Sequence, residues 1–193
     1  MILYLHGFRS SPLSNKARML ARLVAARDAA PGAWACPQLP PSPRETAALI
    51  EGLADSAASL ALIGSSLGGF YATWLAERRG CRAVLLNPAI RPFDDLRAHL
   101  GRQPLFHGGG EFEFRPEYLD ELLALDTPRL TDPDRYLLVA ATGDEVIDYR
   151  TMVRKYAGCE QVVIDGSDHA LSDFDAYAGR VLDFCGLPPA TNR

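Results

Sequence analysis

The chain has few of the features that would place it at once. Its four cysteines, Cys36, Cys81, Cys159 and Cys185, are far apart with no C-x-x-C spacing. Neither a zinc site nor a disulfide framework is indicated, so no metal is expected. Cys185 falls on the apolar face of a predicted helix, where a thiol is a small hydrophobe. Basic residues are fewer than acidic ones, 20 against 24, and form no run. Nucleic acid is therefore not an expected partner. No apolar stretch approaches the roughly 20 residues that a membrane-spanning helix needs. Met1-Ile2-Leu3-Tyr4-Leu5 is apolar, but it lacks a basic n-region and is too short for a secretory leader. A cytoplasmic protein is the expectation. Internal repeats and low-complexity linkers are absent. Histidines number four: His6, His99, His107 and His169.

What is present is ordinary globular composition, 48% apolar and 23% charged over 193 residues. That is enough chain for one domain, 1–193, with a proper core. Short apolar runs alternate with helical patterns. Strands are predicted at Ile2–Leu5, Ala33–Cys36, Leu60–Ile63, Ala83–Leu86, Tyr136–Ala141 and Gln161–Ile164. Helices are predicted at Asn15–Arg27, from Ser42-Pro43-Arg44-Glu45 to about Ala58, and from the glycine-rich turn to about Arg79. Three more follow at Pro116–Asp126, at Tyr149–Ala157 and from Ser172, the last closed by Gly186 and Pro188. Ser42 to Glu45 has the form of a capping box with proline at the first helical position. Buried strands alternating with helices give an α/β fold with a mostly parallel sheet covered on both faces. In such sheets ligands bind at the carboxyl ends of strands, so chemistry is sought in the loops that follow them. Residues 88 to 115 have no clear period and are broken by Pro88, Pro92, Pro104 and Gly108-Gly109-Gly110. The span 88–130 is expected to insert as a cap over the site.

One such loop stands out. Leu60-Ala61-Leu62-Ile63 runs into Gly64-Ser65-Ser66-Leu67-Gly68-Gly69, and a helical stretch leads out. Gly64, Ser66 and Gly68 fit G-x-S-x-G, the nucleophile elbow, where a serine sits on a strained strand-to-helix turn with its hydroxyl exposed. Chance alone gives this pattern in about 6% of chains this long, so the context carries much of its weight. The plainer alternatives are a tight turn capped by Ser66 and an anion site at a helix N-terminus.

A serine hydroxyl needs a base. His169, in Gly166-Ser167-Asp168-His169-Ala170, follows the last strand and suits that role. The histidine in turn needs a carboxylate. Thr142-Gly143-Asp144-Glu145 follows strand five, and Asp144, right at the strand end, is the choice. Asp148 is the runner-up and reads better as a helix cap. Glu145 reads as a surface charge. An oxyanion would be held by backbone N–H groups, one from Leu67 and one from Phe8 in the loop after strand one. His6 reads as a structural pillar under that loop, and His99 and His107 as surface residues. Phe106, Phe112 and Phe114 either line an acyl pocket or anchor a long loop. Phe70 and Trp74, one helical turn apart, read as core.

The order Leu-His-Gly-Phe, Gly-Ser-Ser-Leu-Gly-Gly, Thr-Gly-Asp-Glu-Val and Asp-His-Ala resembles a serine hydrolase of the α/β-hydrolase superfamily. More narrowly it resembles the YqiA-like bacterial esterases. The carrying segments include Tyr4 to Phe8 with Ser10-Ser11-Pro12, Pro37-Gln38-Leu39-Pro40-Pro41, Asn87-Pro88-Ala89 and Asp148-Tyr149-Arg150. The resemblance is weakest from Asp94 to Arg135. It implies a small α/β-hydrolase fold with a six-stranded sheet in the order 2-1-3-4-5-6. It also implies Ser66 as nucleophile, Asp144 as acid and His169 as base, with no metal or organic cofactor. The expected function is hydrolysis of a small-molecule carboxylic ester or thioester through an acyl-enzyme. The alternatives are another α/β-hydrolase chemistry, such as a C–C hydrolase or perhydrolase, and a non-catalytic acyl- or anion-binding module. Neither the substrate's acyl length nor the oligomeric state follows from the sequence.

Overall fold

The apolar runs at the centre of the sheet form strands buried on both faces. In the computed structural model, which describes residues 1–27 and 30–187, the strands are β1 (Ile2–Leu5), β2 (Trp34–Ala35), β3 (Ala61–Ser65), β4 (Arg82–Leu86), β5 (Gly101–Pro104), β6 (Glu111–Phe114), β7 (Tyr136–Ala141) and β8 (Glu160–Ile164). Six of them form the main sheet in the order β2-β1-β3-β4-β7-β8, with every pairing parallel. Counted within that sheet, this is the expected 2-1-3-4-5-6. The difference lies in β5 and β6, which pair antiparallel as a separate hairpin. They occupy the stretch where the sequence has no clear period. Pro188, expected to help end the last helix, lies outside the described residues.

The helices are α1 (Asn15–Ala26), α2 (Pro43–Asp55), α3 (Leu67–Arg79), α4 (Pro92–Asp95), α5 (Glu117–Ala124), α6 (Tyr149–Lys155) and α7 (Asp175–Phe184). Alternate strand residues point to opposite faces. Ile2, Tyr4, Ile63, Val84 and Val139 pack with Leu20 and Val24 of α1 and with Val181 and Leu182 of α7. Leu3, Leu5, Leu62, Leu85 and Leu138 pack with Ile50 of α2, Leu75 of α3 and Met152 of α6. Phe70 is buried and Trp74 half-buried on this second face, in agreement with their reading as core.

The N-terminus of α2 departs from the expected capping box. Ser42 Oγ accepts from the Glu45 N–H at 3.2 Å, but the carboxylate serving this helix end comes from α5. Glu121 Oε2 accepts from Ser42 Oγ at 2.7 Å and from the Arg44 N–H at 3.0 Å. The serine half of the box thus forms as expected, while the tertiary carboxylate takes the Arg44 N–H, another free donor of the first turn. The four cysteines are unpaired thiols. Burial pushes Cys36 and Cys185 up to about 12, and Cys81 and Cys159 up to about 11. Among the described residues no helix is long and apolar enough to cross a membrane. Nor do any three His, Cys, Asp or Glu side chains gather in a way that could hold a metal ion.

Candidate active site

Ser66 stands between the end of β3 and the start of α3, with φ 55° and ψ −122°. A non-glycine residue there is strained by roughly 1–3 kcal/mol and persists only where its surroundings fix it. Here they do. The Ser66 N–H donates to the Leu86 carbonyl and its carbonyl accepts from the Ala89 N–H, both at 3.0 Å. The flanking glycines are required by close approach. A Cβ on Gly68 would lie 1.9 Å from the Leu5 carbonyl oxygen, and one on Gly64 would lie 2.2 Å from that of Gly68.

The loop after β8 carries His169 between two left-handed residues, Ser167 (φ 57°) and Leu171 (φ 50°). His169 Nε2 lies 3.0 Å from Ser66 Oγ, and Nδ1 lies 2.8 Å from Asp144 Oδ2. The Asp144 side chain is fully buried. Its Oδ1 accepts from the Val146 and Ile147 N–H groups, both at 2.8 Å. That leaves Oδ2 for the histidine, so Nδ1 carries the proton and Nε2 faces the serine with a lone pair. The chain can pass a proton from Ser66 to His169 while Asp144 fixes the tautomer.

The Asp144 and His169 loops are stitched together. The Gly143 N–H donates to the Gly166 carbonyl at 3.0 Å. A Cβ on Gly143 would meet the Ser167 carbonyl oxygen at 2.2 Å. Glu145 is exposed, as a surface charge is, and also ties down the histidine backbone, since its Oε2 accepts from the His169 N–H at 2.9 Å. Asp148 caps α6 through the Arg150 N–H at 2.9 Å.

Asn87 is a tie that sequence reasoning missed. It is fully buried at the end of β4, with φ 41°. Its Oδ1 accepts from the Ala141 N–H at 2.9 Å. Its Nδ2 donates to the carbonyls of Asp168 at 3.0 Å and His169 at 3.2 Å. One amide thus joins the strand end before Asp144 to the backbone of His169. The available signal was an asparagine directly after a strand, since asparagine tolerates positive φ better than most residues.

His6 is buried, as a pillar should be. Nε2 accepts from the Leu39 N–H at 3.1 Å, so Nδ1 is the protonated nitrogen and donates to the Gly7 carbonyl at 3.0 Å. Burial lowers its pKa below the usual 6.5. This holds Gly7 and Phe8 beneath Ser66, where a Cβ on Gly7 would lie 3.1 Å from Ser66 Cβ. Among the described residues neither the Phe8 nor the Leu67 N–H has a hydrogen-bond partner.

Two cavities open beside the Phe8 loop. The first, about 360 Å³, is bordered by Ser66, His169, Lys16, Ser10, Phe106 and His107. The second, about 420 Å³, is lined by Leu39, Pro40, Leu67, Tyr71, Phe112 and Phe114, among others. The Phe8 ring meets those of Phe112 and Phe114 edge-on, with centroids 5.6 and 5.1 Å apart. Phe106 is 62% exposed, with the Arg9 guanidinium 4.4 Å from its ring centre. His99 is exposed, as expected. His107 is not simply a surface residue. The β5–β6 hairpin folds it over the first cavity, half-buried, and its Nδ1 is shut from solvent without a partner.

A family model described as "Uncharacterised protein family (UPF0227)" matches residues 1–186. Among solved structures, the chain is similar to alpha/beta hydrolase domain-containing protein 10 from mouse, with a TM-score of 0.73 and 15% identity over 96% of this chain and 89% of that one. It is similar to the monoacylglycerol lipase of Paleococcus ferrophilus, with a TM-score of 0.69 and 14% identity over 95% and 94%. Est1E from Butyrivibrio proteoclasticus, in a structure with ferulic acid bound, gives a TM-score of 0.67 and 15% identity over 95% and 86%. At these identities the likeness carries the fold, which is that of the α/β hydrolases.

Proposed function

The chain belongs to the UPF0227 family, and we propose that it is a serine hydrolase cleaving carboxylic esters or thioesters through an acyl-enzyme on Ser66. The observation that carries this reading is the unbroken line from Ser66 Oγ through His169 to the buried Asp144, at 3.0 and 2.8 Å, with the serine held on a strained elbow.

Ser66 Oγ bonds to the substrate carbonyl carbon as its proton passes to His169 Nε2. The Leu67 and Phe8 N–H groups receive the oxyanion. The adduct collapses, the bond to the leaving oxygen or sulfur breaks, and that atom takes the proton from Nε2. Water then gives a proton to Nε2 and attacks the acyl carbon. The acid departs and Oγ recovers the proton. The acyl chain lies in the second cavity, against Leu39, Pro40, Phe112 and Phe114. The 88–130 segment acts as a cap, since its hairpin supplies side chains to both cavities.

The test is hydrolysis of a chain-length series of p-nitrophenyl esters and acyl thioesters, with Ser66→Ala as control. Serine-dependent turnover peaking at one chain length is expected. Absence of turnover by the folded protein on every member would overturn the reading.

A further inference from the structure

We propose that the first cavity is a leaving-group subsite for an anion, taking substrates whose alcohol or thiol part carries a phosphate or carboxylate bound by Lys16 and His107. The proposal rests on the hydrolase reading and deepens it.

The two cavities share Gly7, Phe8 and Ser10, but only the first is bordered by His169. In acyl transfer the departing atom collects its proton from His169 Nε2, so the leaving group must lie on that side. The second cavity, apolar and bordered by Leu67, is left for the acyl chain.

The first cavity combines apolar walls, among them Met19 and Phe174, with a cation and several polar side chains. Lys16, on α1, is one of two lysines among the 20 basic residues. Its Nζ donates to the carbonyl of Ala170, next to His169. An ammonium has three N–H groups, so two remain. Among the described residues no carboxylate lies within 4.0 Å of it. The nearby acids are engaged elsewhere. Asp168 accepts from the Ser172 N–H at 2.9 Å and from its hydroxyl at 2.6 Å, and Asp144 is taken by the bonds described above. Burial draws the Lys16 ammonium down to about 8, with Asp168 and Asp144 only partly opposing it.

His107 supplies the second observation. Its Nδ1 is sealed from solvent and makes no hydrogen bond. Buried polar atoms are nearly always paired, and one left unpaired at a cavity wall calls for a partner from outside. An anion entering between α1 and the hairpin would meet the Lys16 ammonium, and a turn of the His107 ring would bring its unpartnered Nδ1 to the same ligand. Ser10, Ser14 and Asn15 on the same wall can add further donors. A neutral, apolar leaving group would instead bury these groups uncompensated.

The experiment compares paired esters with one acyl group in common. Acyl glycerol 3-phosphate is set against the monoacylglycerol, and the acyl ester of 3-hydroxypropanoate against that of 3-hydroxypropanamide. The readout is the ratio of kcat/KM, anionic over neutral, which cancels any effect on the triad. The wild-type ratio is expected to be roughly tenfold or more in one or both pairs, the worth of a charge-assisted hydrogen bond. Preference confined to one pair identifies the anion as phosphate or carboxylate. Lys16→Gln keeps an N–H for Ala170 but drops the charge, and should bring the ratio toward one. Lys16→Arg should retain most of it. His107→Gln, on the half-exposed hairpin, should lower the same ratio independently. Serine-dependent turnover with no anionic preference, or a preference that Lys16→Gln leaves intact, overturns the subsite and spares the hydrolase. No Ser66-dependent turnover of any of the four esters overturns the hydrolase reading, and the subsite with it.

Discussion

Ser66 and Asp144 follow strands β3 and β7, which are buried along their whole length, whereas β5 and β6 alternate exposed with half-buried or buried residues around a glycine turn. The proposed reacting groups therefore hang from a rigid sheet, and much of the cavity wall hangs from a hairpin with few neighbours. Errors of a few tenths of an ångström would spoil a proton transfer, so its groups belong where packing permits no movement. The hairpin can change its side chains without disturbing them, which makes it the place where substrate preference can vary.

Substitutions on the two sides should separate. The largest effect belongs to Ser66→Ala, which should lower kcat/KM for any ester by about a thousandfold or more with an unchanged circular dichroism spectrum. Gly68→Ala drives a methyl into the Leu5 carbonyl and should cost about 3 kcal/mol or more, read from the urea midpoint. Asn87→Ala leaves the Ala141 N–H and two carbonyls without their partner. It should cost about 2 kcal/mol and lower kcat more than KM changes, since His169 loses its anchor. An unchanged kcat would show that Asn87 is structural alone. For His6 the sign follows from its lowered native pKa. The unfolded chain binds the proton more readily, so the His6 contribution is complete above about pH 6.5 and is lost as pH falls below it. His6→Gln should flatten that part of the stability–pH profile. The smallest effect is expected on the hairpin: Phe112→Ala should move the preferred acyl length while altering kcat for the shortest ester less than threefold, roughly.

The sheet was legible because each central strand is an uninterrupted apolar run, and burial on both faces leaves no other reading. The serine, histidine and aspartate were legible because they stand in the loops that follow strands. The hairpin escaped because its strands are four residues long and carry two inward apolar side chains between them, Phe112 and Phe114. The alternation Glu111-Phe112-Glu113-Phe114 was its one local mark. Lys16, Glu145 and Asn87 escaped for another reason. Their contacts are long-range, as is that of Glu121 at the start of α2, and only Asn87 left a local mark, an asparagine directly after a strand.

The all-parallel pairing also has a kinetic consequence. No two neighbours in the main sheet are joined by a tight turn, and β4 must find β7 across the hairpin, from Leu86 to Tyr136. Such non-local pairings are slow to form, and refolding should take milliseconds to seconds rather than microseconds. Ser66, Asp144 and His169 hang from three different strands, and the Phe8 loop from a fourth. Hydrolytic activity in a refolding experiment should therefore return with the last strand to dock, later than the helical signal.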